Sequence, residues 1–519
     1  MGDVEAESVH LDEILKKFGA FGRYQVQAIL LIGFAFFNNA MHCANYILVA
    51  EDVPYRCKID QCDSQSQVVG SWLNFTTPNT RSCYKYGSDY KECTPSSFNT
   101  TLLEPCAEWI YETEDSFIGE FQLACQDWKR TLVGTMHSIG LMIGLMFQGQ
   151  LSDKIGRKAA IVIAGLAAAV LGIAKSFATS YITFIALELI VAAFGDNCSP
   201  AYIMSVELVH KDYRLQQQLY LSIIYATGGV AFAAAGYYVR YWRNFIRAIY
   251  APSILFILIY FVMDESARWL LSKGKKEEAT KLLLKIAKMN NVDLDKAALK
   301  NIQCEEPITQ KSPMMETFRS KIVVRRFLIC LIWWISCTFV CFGLIVNVVS
   351  LAGNKYVNIA FMSLSDIPAS FAMVYTLKRF NRKKPLLISF LTAGSLCLIQ
   401  PFIPREHLWL SVGLYFLGRF VSTFTFSTVY MYTSELFPTY SRNSLHALCS
   451  GIGRIGSILA PMTPLLTQYA ESLPTLLIGS ISIFAGLTTL LVPDLADEPL
   501  PDNVQQAETI GRVKSKCCS

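Results

Sequence analysis

Apolar stretches long enough to cross a bilayer recur along this chain, and they restrict its fold more than any other feature. About twenty apolar residues in a helix span the hydrocarbon layer. Lipid offers backbone N–H and C=O groups no partner, so a spanning segment must be a helix or part of a closed barrel. Stretches of helical length occur near 24–47, 130–151, 159–178, 181–204, 216–239, 245–263, 326–350, 355–377, 385–403, 408–433, 445–469 and 474–493. These twelve segments, numbered spans 1 to 12, predict an all-α polytopic membrane protein. Only 17% of the 519 residues are charged and 52% are apolar, whereas a soluble chain carries about a quarter charged residues. Residues 1–23 are polar and lack a short apolar core, so span 1 is expected to serve as an uncleaved signal anchor.

Two long polar segments interrupt the pattern. The first, 48–129, holds Cys57, Cys62, Cys83, Cys93, Cys106 and Cys125, six of the chain's 16 cysteines. Six in one loop predict up to three disulfides, with connectivity open, and an oxidising compartment. The same loop carries the glycosylation sequons Asn74-Phe-Thr and Asn99-Thr-Thr, which also place it outside the cell. Lys and Arg gather in the short loops after even-numbered spans, among them Lys154, Arg157, Lys158, Lys211, Arg214, Arg379, Arg382 and Arg442, while Arg240, Arg243 and Arg247 dissent. The positive-inside rule then puts both termini in the cytoplasm. The second polar segment, 264–325, alternates apolar residues with Lys and Glu from Lys276 to Lys288 and reads as an amphipathic helix on the cytoplasmic surface. The expected layout is a cytoplasmic N-terminus (1–23), a six-helix bundle (24–263), a helical linker (264–325), a second bundle (326–493) and a cytoplasmic tail (494–519).

The chain also repeats itself. Glu207 and Arg214 after span 4 have the spacing of Glu435 and Arg442 after span 10, 228 residues later (207 to 435). Asp153-Lys-Ile-Gly-Arg-Lys158 after span 2 matches Lys378-Arg-Phe-Asn-Arg-Lys383 after span 8, 225 residues later (153 to 378). Parallel repeats of this kind build carriers whose substrate site lies between the halves near the midplane.

The run Gly149-Gln-Leu-Ser-Asp153-Lys-Ile-Gly156-Arg157-Lys158, in the tight turn between spans 2 and 3, resembles the signature loop of the major facilitator superfamily. Asp264-Glu-Ser266-Ala-Arg268-Trp269-Leu270-Leu271 resembles a run shared by sugar porters and organic ion transporters. The opening Leu15-Lys-Lys-Phe-Gly-Ala-Phe-Gly-Arg-Tyr-Gln25, Pro54-Tyr-Arg-Cys57, Glu120-Phe-Gln-Leu-Ala-Cys125 and Tyr430-Met-Tyr-Thr-Ser-Glu435-Leu-Phe-Pro438 resemble only the second group. The resemblance to the organic ion transporter family covers nearly the whole chain. It implies the superfamily's fold of two six-helix bundles and transport of organic cations, carnitine-like zwitterions or organic anions. The sequence departs from that family at Lys378 and Asn381, where Asp and Gly are usual, and in span 4, where Leu187 or Glu188 stands in place of Arg.

Ionisable residues inside a membrane normally face a pathway or a partner. Arg454 in span 11 is a candidate to hold a carboxylate or sulfate through paired hydrogen bonds, and in the resembling family this position separates cation carriers from anion and carnitine carriers. Asp366 in span 8 is a candidate for an ammonium or a proton, and with Arg454 would suit a zwitterion; alternatively the two pair with each other. Arg419 in span 10 reads as a structural partner. Glu188 and Asp196 in span 4 are unusual for that family, and Asp196 stays open between binding a cation or proton and solvation in the cavity. Trp334, Phe342, Tyr202, Tyr225 and Tyr430 are the aromatic cavity candidates. His42 and His137 read as satisfied polar residues ahead of a proton relay. Gly149, Asp153, Gly156, Arg157, Glu207, Arg214, Glu435 and Arg442 form the expected gating motifs.

No metal-ligand spacing, phosphate loop or nucleotide-hydrolysis motif occurs, so neither catalysis, a cofactor, a metal nor a nucleic-acid partner is expected. The terminal Cys517-Cys518 beside basic residues permits palmitoylation. The expected function is alternating-access transport of a small organic ion across the plasma membrane, leaning to zwitterions or anions because of Arg454, with Na⁺, H⁺ or an exchanged organic ion as counterpart. An organic cation carrier, a sugar-type porter of neutral solutes and a non-transporting receptor on the same fold are the alternatives.

Overall fold

A computed structural model describes residues 11–19, 21–63, 72–78, 83–88, 92–294, 318–379, 382–404, 406–437, 439–494, 501 and 504–509. Asn381, the side chains of Lys378 and Arg442, and the Cys517-Cys518 tail lie outside the described residues. Ten of the described helices are long and apolar enough to cross a membrane: Arg23–Val49, Asp127–Ile155, Arg157–Lys175, Tyr181–Leu208, Arg214–Tyr238, Trp242–Val262, Lys321–Ser350, Lys355–Thr376, Lys383–Phe402 and Leu473–Leu491. The helices Leu408–Leu436 and Thr439–Leu459, the latter continuing as a 3₁₀ turn to Gln468, occupy the places of spans 10 and 11. Pro461 and Pro464 account for that change of winding, since neither can donate a helix hydrogen bond. Large apolar side chains such as Ile182 (79% exposed) and Phe261 (76%) cover the outside of the bundle. Such a surface is stable only against lipid. The protein is an all-α membrane protein.

The packing repeats with the sequence. Span 1 packs on 5, 2 on 4 and 3 on 6; in the second half 7 packs on 11, 8 on 10 and 9 on 12. The two halves meet through spans 5 and 8 and through spans 2 and 11, again a matched pair of contacts. Small residues permit the approach: a Cβ at Gly229 of span 5 would lie 2.2 Å from Ser363 Oγ of span 8. Polar contacts across this boundary cluster at the end bearing the cysteine loop. There Lys355 pairs with Glu51, Gln468 Nε2 donates to Asp127 Oδ2 at 2.8 Å, and Thr135 Oγ1 donates to the Ile458 carbonyl at 3.2 Å.

That loop is a small disulfide-stapled module and, among the described residues, the one departure from all-α structure. Strand β1 (Tyr55–Cys57) pairs antiparallel with β4 (Trp109–Tyr111), and β2 (Tyr84–Ser88) with β3 (Phe98–Pro105). All six candidate cysteines are bridged, as Cys57–Cys106, Cys62–Cys93 and Cys83–Cys125. A module this small buries little apolar surface, and covalent links supply what its core lacks. Asn74 and Asn99 are both exposed on it. The dissenting arginines are used at the same end: Arg243 pairs with Glu120 at 2.6 Å and donates to the carbonyls of Ser176 and Ala178, and Arg247 donates to Ser176 Oγ.

At the opposite end, residues 11–18 correct the expectation of a merely polar N-terminus. Leu11, Ile14, Leu15 and Phe18 follow the i, i+3, i+4, i+7 spacing of an amphipathic helix, and all four are buried in the helix Leu11–Phe18. They pack with Leu282, Leu283 and Ile286 of the linker helix Lys276–Asn290. That linker helix therefore buries its apolar stripe against protein.

The signature turn explains its own glycine. Gly156 has φ +106°, a region L side chains avoid, and a Cβ there would lie 2.3 Å from Glu265 Oε2. The freed space lets Glu265 Oε1 accept from the backbone N–H groups of Arg157 and Lys158 at 2.9 and 3.1 Å, at the start of span 3, where a carboxylate complements the helix dipole. Gly156→Val is expected to cost about 1–3 kcal/mol through backbone strain; an unchanged melting temperature in detergent would refute this account of the turn.

Candidate functional site

Two spans interrupt their α-helices beside one cavity, span 1 by tightening into turns in which the Asn45 and Ile47 N–H groups donate to the His42 and Ala44 carbonyls. In span 1 the helix ends at His42 and resumes at Tyr46; in span 4 it ends at Phe194 and resumes at Cys198. Irregular backbone at membrane depth persists only where protein or a wet cavity satisfies it, and both breaks line one cavity of about 210 Å³. Cys43 and Ala44 come from the first break, Gly195 and Asp196 from the second, and the other half of the chain contributes Phe342, Ile345 and Arg454. The cavity thus lies between the halves.

Asp196 is held at the break in span 4. Its Oδ1 accepts from the Cys198 backbone N–H at 3.0 Å and from Asn39 Nδ2 at 3.3 Å, and its Oδ2 accepts from Ser199 Oγ at 2.6 Å. Asn197, by contrast, is fully buried with neither side-chain atom partnered by protein. Arg454, half-buried, enters from the other wall. No carboxylate among the described residues stands within 4 Å of it, and Asp196 is the acid whose charge acts on it most. A guanidinium and a carboxylate therefore face the same chamber without closing on each other.

Asp366 is not part of that chamber, which corrects its expected pairing with Arg454. Its Oδ2 accepts from Arg419 Nη2 at 3.1 Å and its Oδ1 from Thr423 Oγ1 at 2.7 Å. Arg419 Nη1 also donates to the Cys341 carbonyl at 3.3 Å. The cause is proximity within one half: spans 8 and 10 pack together, so Asp366 meets the guanidinium of its neighbour. The aromatic candidates divide in the same way. Phe342 and Tyr225 line the cavity, the latter with its hydroxyl 3.1 Å from Cys43 Sγ. Trp334 is instead buried, donating to Thr433 Oγ1 at 3.1 Å and packed on Tyr430 and His446. Tyr202 and Tyr430 lie outside the cavity lining, Tyr430 against the rings of Trp334 and His446.

A buried charge that the sequence reading passed over lies beside the chamber. Lys175, 0% exposed at the end of span 3, donates to Glu188 Oε2 at 2.5 Å and to Asn45 Oδ1 at 3.3 Å, over the face of Tyr250. Glu188, also 0% exposed, accepts at Oε1 from His137 Nδ1 (2.7 Å) and from Asn45 Nδ2 (3.2 Å). His42 donates Nε2–H to the Ile249 carbonyl at 2.9 Å and stacks on Tyr250. The signal available in the sequence was Glu188 itself: a carboxylate deep in an apolar span requires a cation nearby.

The signature motifs form a latch within each half. Arg157 donates to Asp153 at 2.5 Å and to Glu207 at 3.0 Å, and Trp269 Nε1 donates to the Asp153 carbonyl. In the second half Arg382, 225 residues after Arg157, donates to Glu435 through Nε and Nη2, each at 3.0 Å. Gly149 borders open space, and Arg214 lies in the fields of Arg268 and Asp12, which pair with each other.

Comparison with known proteins agrees in kind. The sugar (and other) transporter family matches residues 66–500. Curated relatives include the organic cation transporter protein of Drosophila melanogaster, 28% identical over 96% of this chain and 95% of its own. Solute carrier family 22 member 1 of Bos taurus is 29% identical over 97% and 93%, and organic cation/carnitine transporter 2 of Rattus norvegicus 26% over 97% and 95%. Among solved structures, the partially occluded inward-open xylose transporter XylE from E. coli superposes with a TM-score of 0.58 over 91% of this chain and all of its own, at 15% identity. The fold is thus that of the major facilitator superfamily.

Asp366 and Arg419 are both buried, and removing one member of such a pair costs about 3–5 kcal/mol by stranding the other charge. Asp366→Asn is expected to lower folded yield and melting temperature sharply, and Asp366→Leu with Arg419→Met to restore much of the loss. A single variant that melts like the parent would show that the pair is not structural.

Proposed function

This chain belongs to the sugar (and other) transporter family of multi-pass membrane carriers, and from that premise we propose that it moves small organic ions across the plasma membrane by alternating access. The observation that carries the reading is Arg454, an arginine between two helical halves with no ion-pair partner among the described residues, lining the same cavity as Asp196. Placing such a charge at bilayer depth costs about 2.5–3.5 kcal/mol on insertion scales, a cost recovered when a bound anion neutralises it. Arg454 holds a carboxylate or sulfate, Asp196 an ammonium, and Phe342 and Tyr225 wall the apolar body. This favours zwitterions or anions. Asp196, rather than Asp366, takes the role of the acid.

A second reading, an organic cation carrier, draws on the names of the relatives and on the Asp196 carboxylate beside two aromatic rings, which suit a desolvated cation. In either case the disulfide module lies outside the cell and both termini in the cytoplasm, in accord with the lysines and arginines of the signature turns. Contacts between halves at the outer end, led by Glu51–Lys355, then describe a conformation closed to the outside. The two arginine latches sit at the cytoplasmic end, each holding the helices of its own half together, clear of the substrate cavity.

Arg454→Ala is expected to reduce uptake of a carboxylated substrate about tenfold to hundredfold, the worth of a hydrogen-bonded charge, with surface expression kept. Asp196→Asn retains a helix-capping side chain and is expected to weaken uptake of ammonium-bearing substrates more than of simple carboxylates. Undiminished uptake by both variants in expressing cells would remove the site assignment.

A further inference from the structure

His137 is 3% exposed, lines the cavity between the halves, and has one ring nitrogen committed and one bare. Nδ1 stands 2.7 Å from Glu188 Oε1. Lys175 binds the other carboxylate oxygen at 2.5 Å, an arrangement that keeps Glu188 ionised. An ionised carboxylate only accepts, so the imidazole proton is on Nδ1 and the Nε2 lone pair is left over. That atom has no protein partner. A buried acceptor without a donor is rare, and on a residue that lines a cavity it is a place for a proton to be taken up.

The surroundings identify the ligand. Lys175 and Glu188 cancel each other, so the group is electrically neutral with its last acceptor vacant. The other titratable groups facing it are Tyr46 (ring 5.5 Å away) and His42 of span 1, Tyr250 of span 6, and, around the same cavity, Cys43, Asp196, Cys198, Tyr225 and Arg454. Of these, His42 is already committed to the Ile249 carbonyl. Adding H⁺ at Nε2 makes an imidazolium whose Nδ1–H already points at a carboxylate. The imidazolium adds a second positive charge to the chamber that Arg454 already faces, so proton and anionic group each favour the other's binding, reciprocally by linkage.

We propose that His137 Nε2 is a proton-binding site and that H⁺ is the co-transported ion, entering with substrate from the side of lower pH. This rests on the transport reading above and adds its coupling. No covalent step is involved: the proton is taken from bulk water on one face and returned on the other.

The test uses the full chain in proteoliposomes with radiolabelled carnitine, tetraethylammonium and p-aminohippurate run separately, and a trapped pH dye. Two measurements are made: counterflow at equal pH, and accumulation with the outside two pH units more acidic. At one proton per solute such a gradient supports about hundredfold accumulation, a factor of ten per unit, and at least about tenfold is expected, together with solute-dependent acidification inside. His137→Gln keeps a donor for Glu188 but nothing to titrate, and is expected to retain counterflow while losing both gradient-driven effects. Counterflow without proton movement in the unaltered protein overturns the inference and leaves the transport reading standing. Loss of counterflow in His137→Gln alone also overturns it, by assigning Nε2 to the solute. No counterflow of any of the three solutes by the unaltered protein overturns the transport reading itself, and the inference with it.

Discussion

Hydrocarbon offers no partner to a peptide group or a charge, and nearly every feature of this molecule answers to that fact. The spans are helices because only a helix closes its own backbone bonds over twenty residues. The two places where spans 1 and 4 leave the regular α-helix line the cavity. Charges at depth follow the same rule. Lys175 with Glu188 and Arg419 with Asp366 are matched and sealed, whereas Arg454 is left to a chamber. Breaks and unmatched charge coincide, and the coincidence marks the site.

The two halves use one plan with different contents. Each keeps an arginine–glutamate latch at its signature turn, Arg157–Glu207 and Arg382–Glu435. Each also has a buried ion pair, but between different spans: 3 and 4 in the first half, 8 and 10 in the second. The scaffold repeats while the polar interior diverges, as expected when helix packing is common to both halves and the chemistry facing the centre is not.

Much of the architecture was legible in the chain because it depends on local pattern. Span count follows from runs of apolar residues, the six bridged cysteines from their crowding in one loop, and the latch residues from their repeated spacing. What escaped depends on which helix faces which. Lys175 closes an apolar run and reads as a terminal lysine reaching for water; only packing against span 4 shows it fully buried. Asp366 and Arg454 seemed natural partners as conspicuous charges, yet Arg419 on the adjacent span reaches the acid. Trp334 could not be told from a cavity aromatic until Thr433 was seen to bind its indole nitrogen. The helix Leu11–Phe18 had a readable apolar stripe, but acidic neighbours disguised it.

The latches differ from the Glu51–Lys355 contact in one respect that matters for motion. Each latch joins residues of the same half, so neither breaks when one bundle tilts against the other. Glu51–Lys355 joins different halves and, among the described residues, is the only ion pair that does. It is also about 28–29% exposed, within reach of dissolved ions, whose screening length is about 8 Å at physiological strength. A pair so placed is worth about 0–1 kcal/mol and less as ionic strength rises, so salt loosens this bridge between the halves.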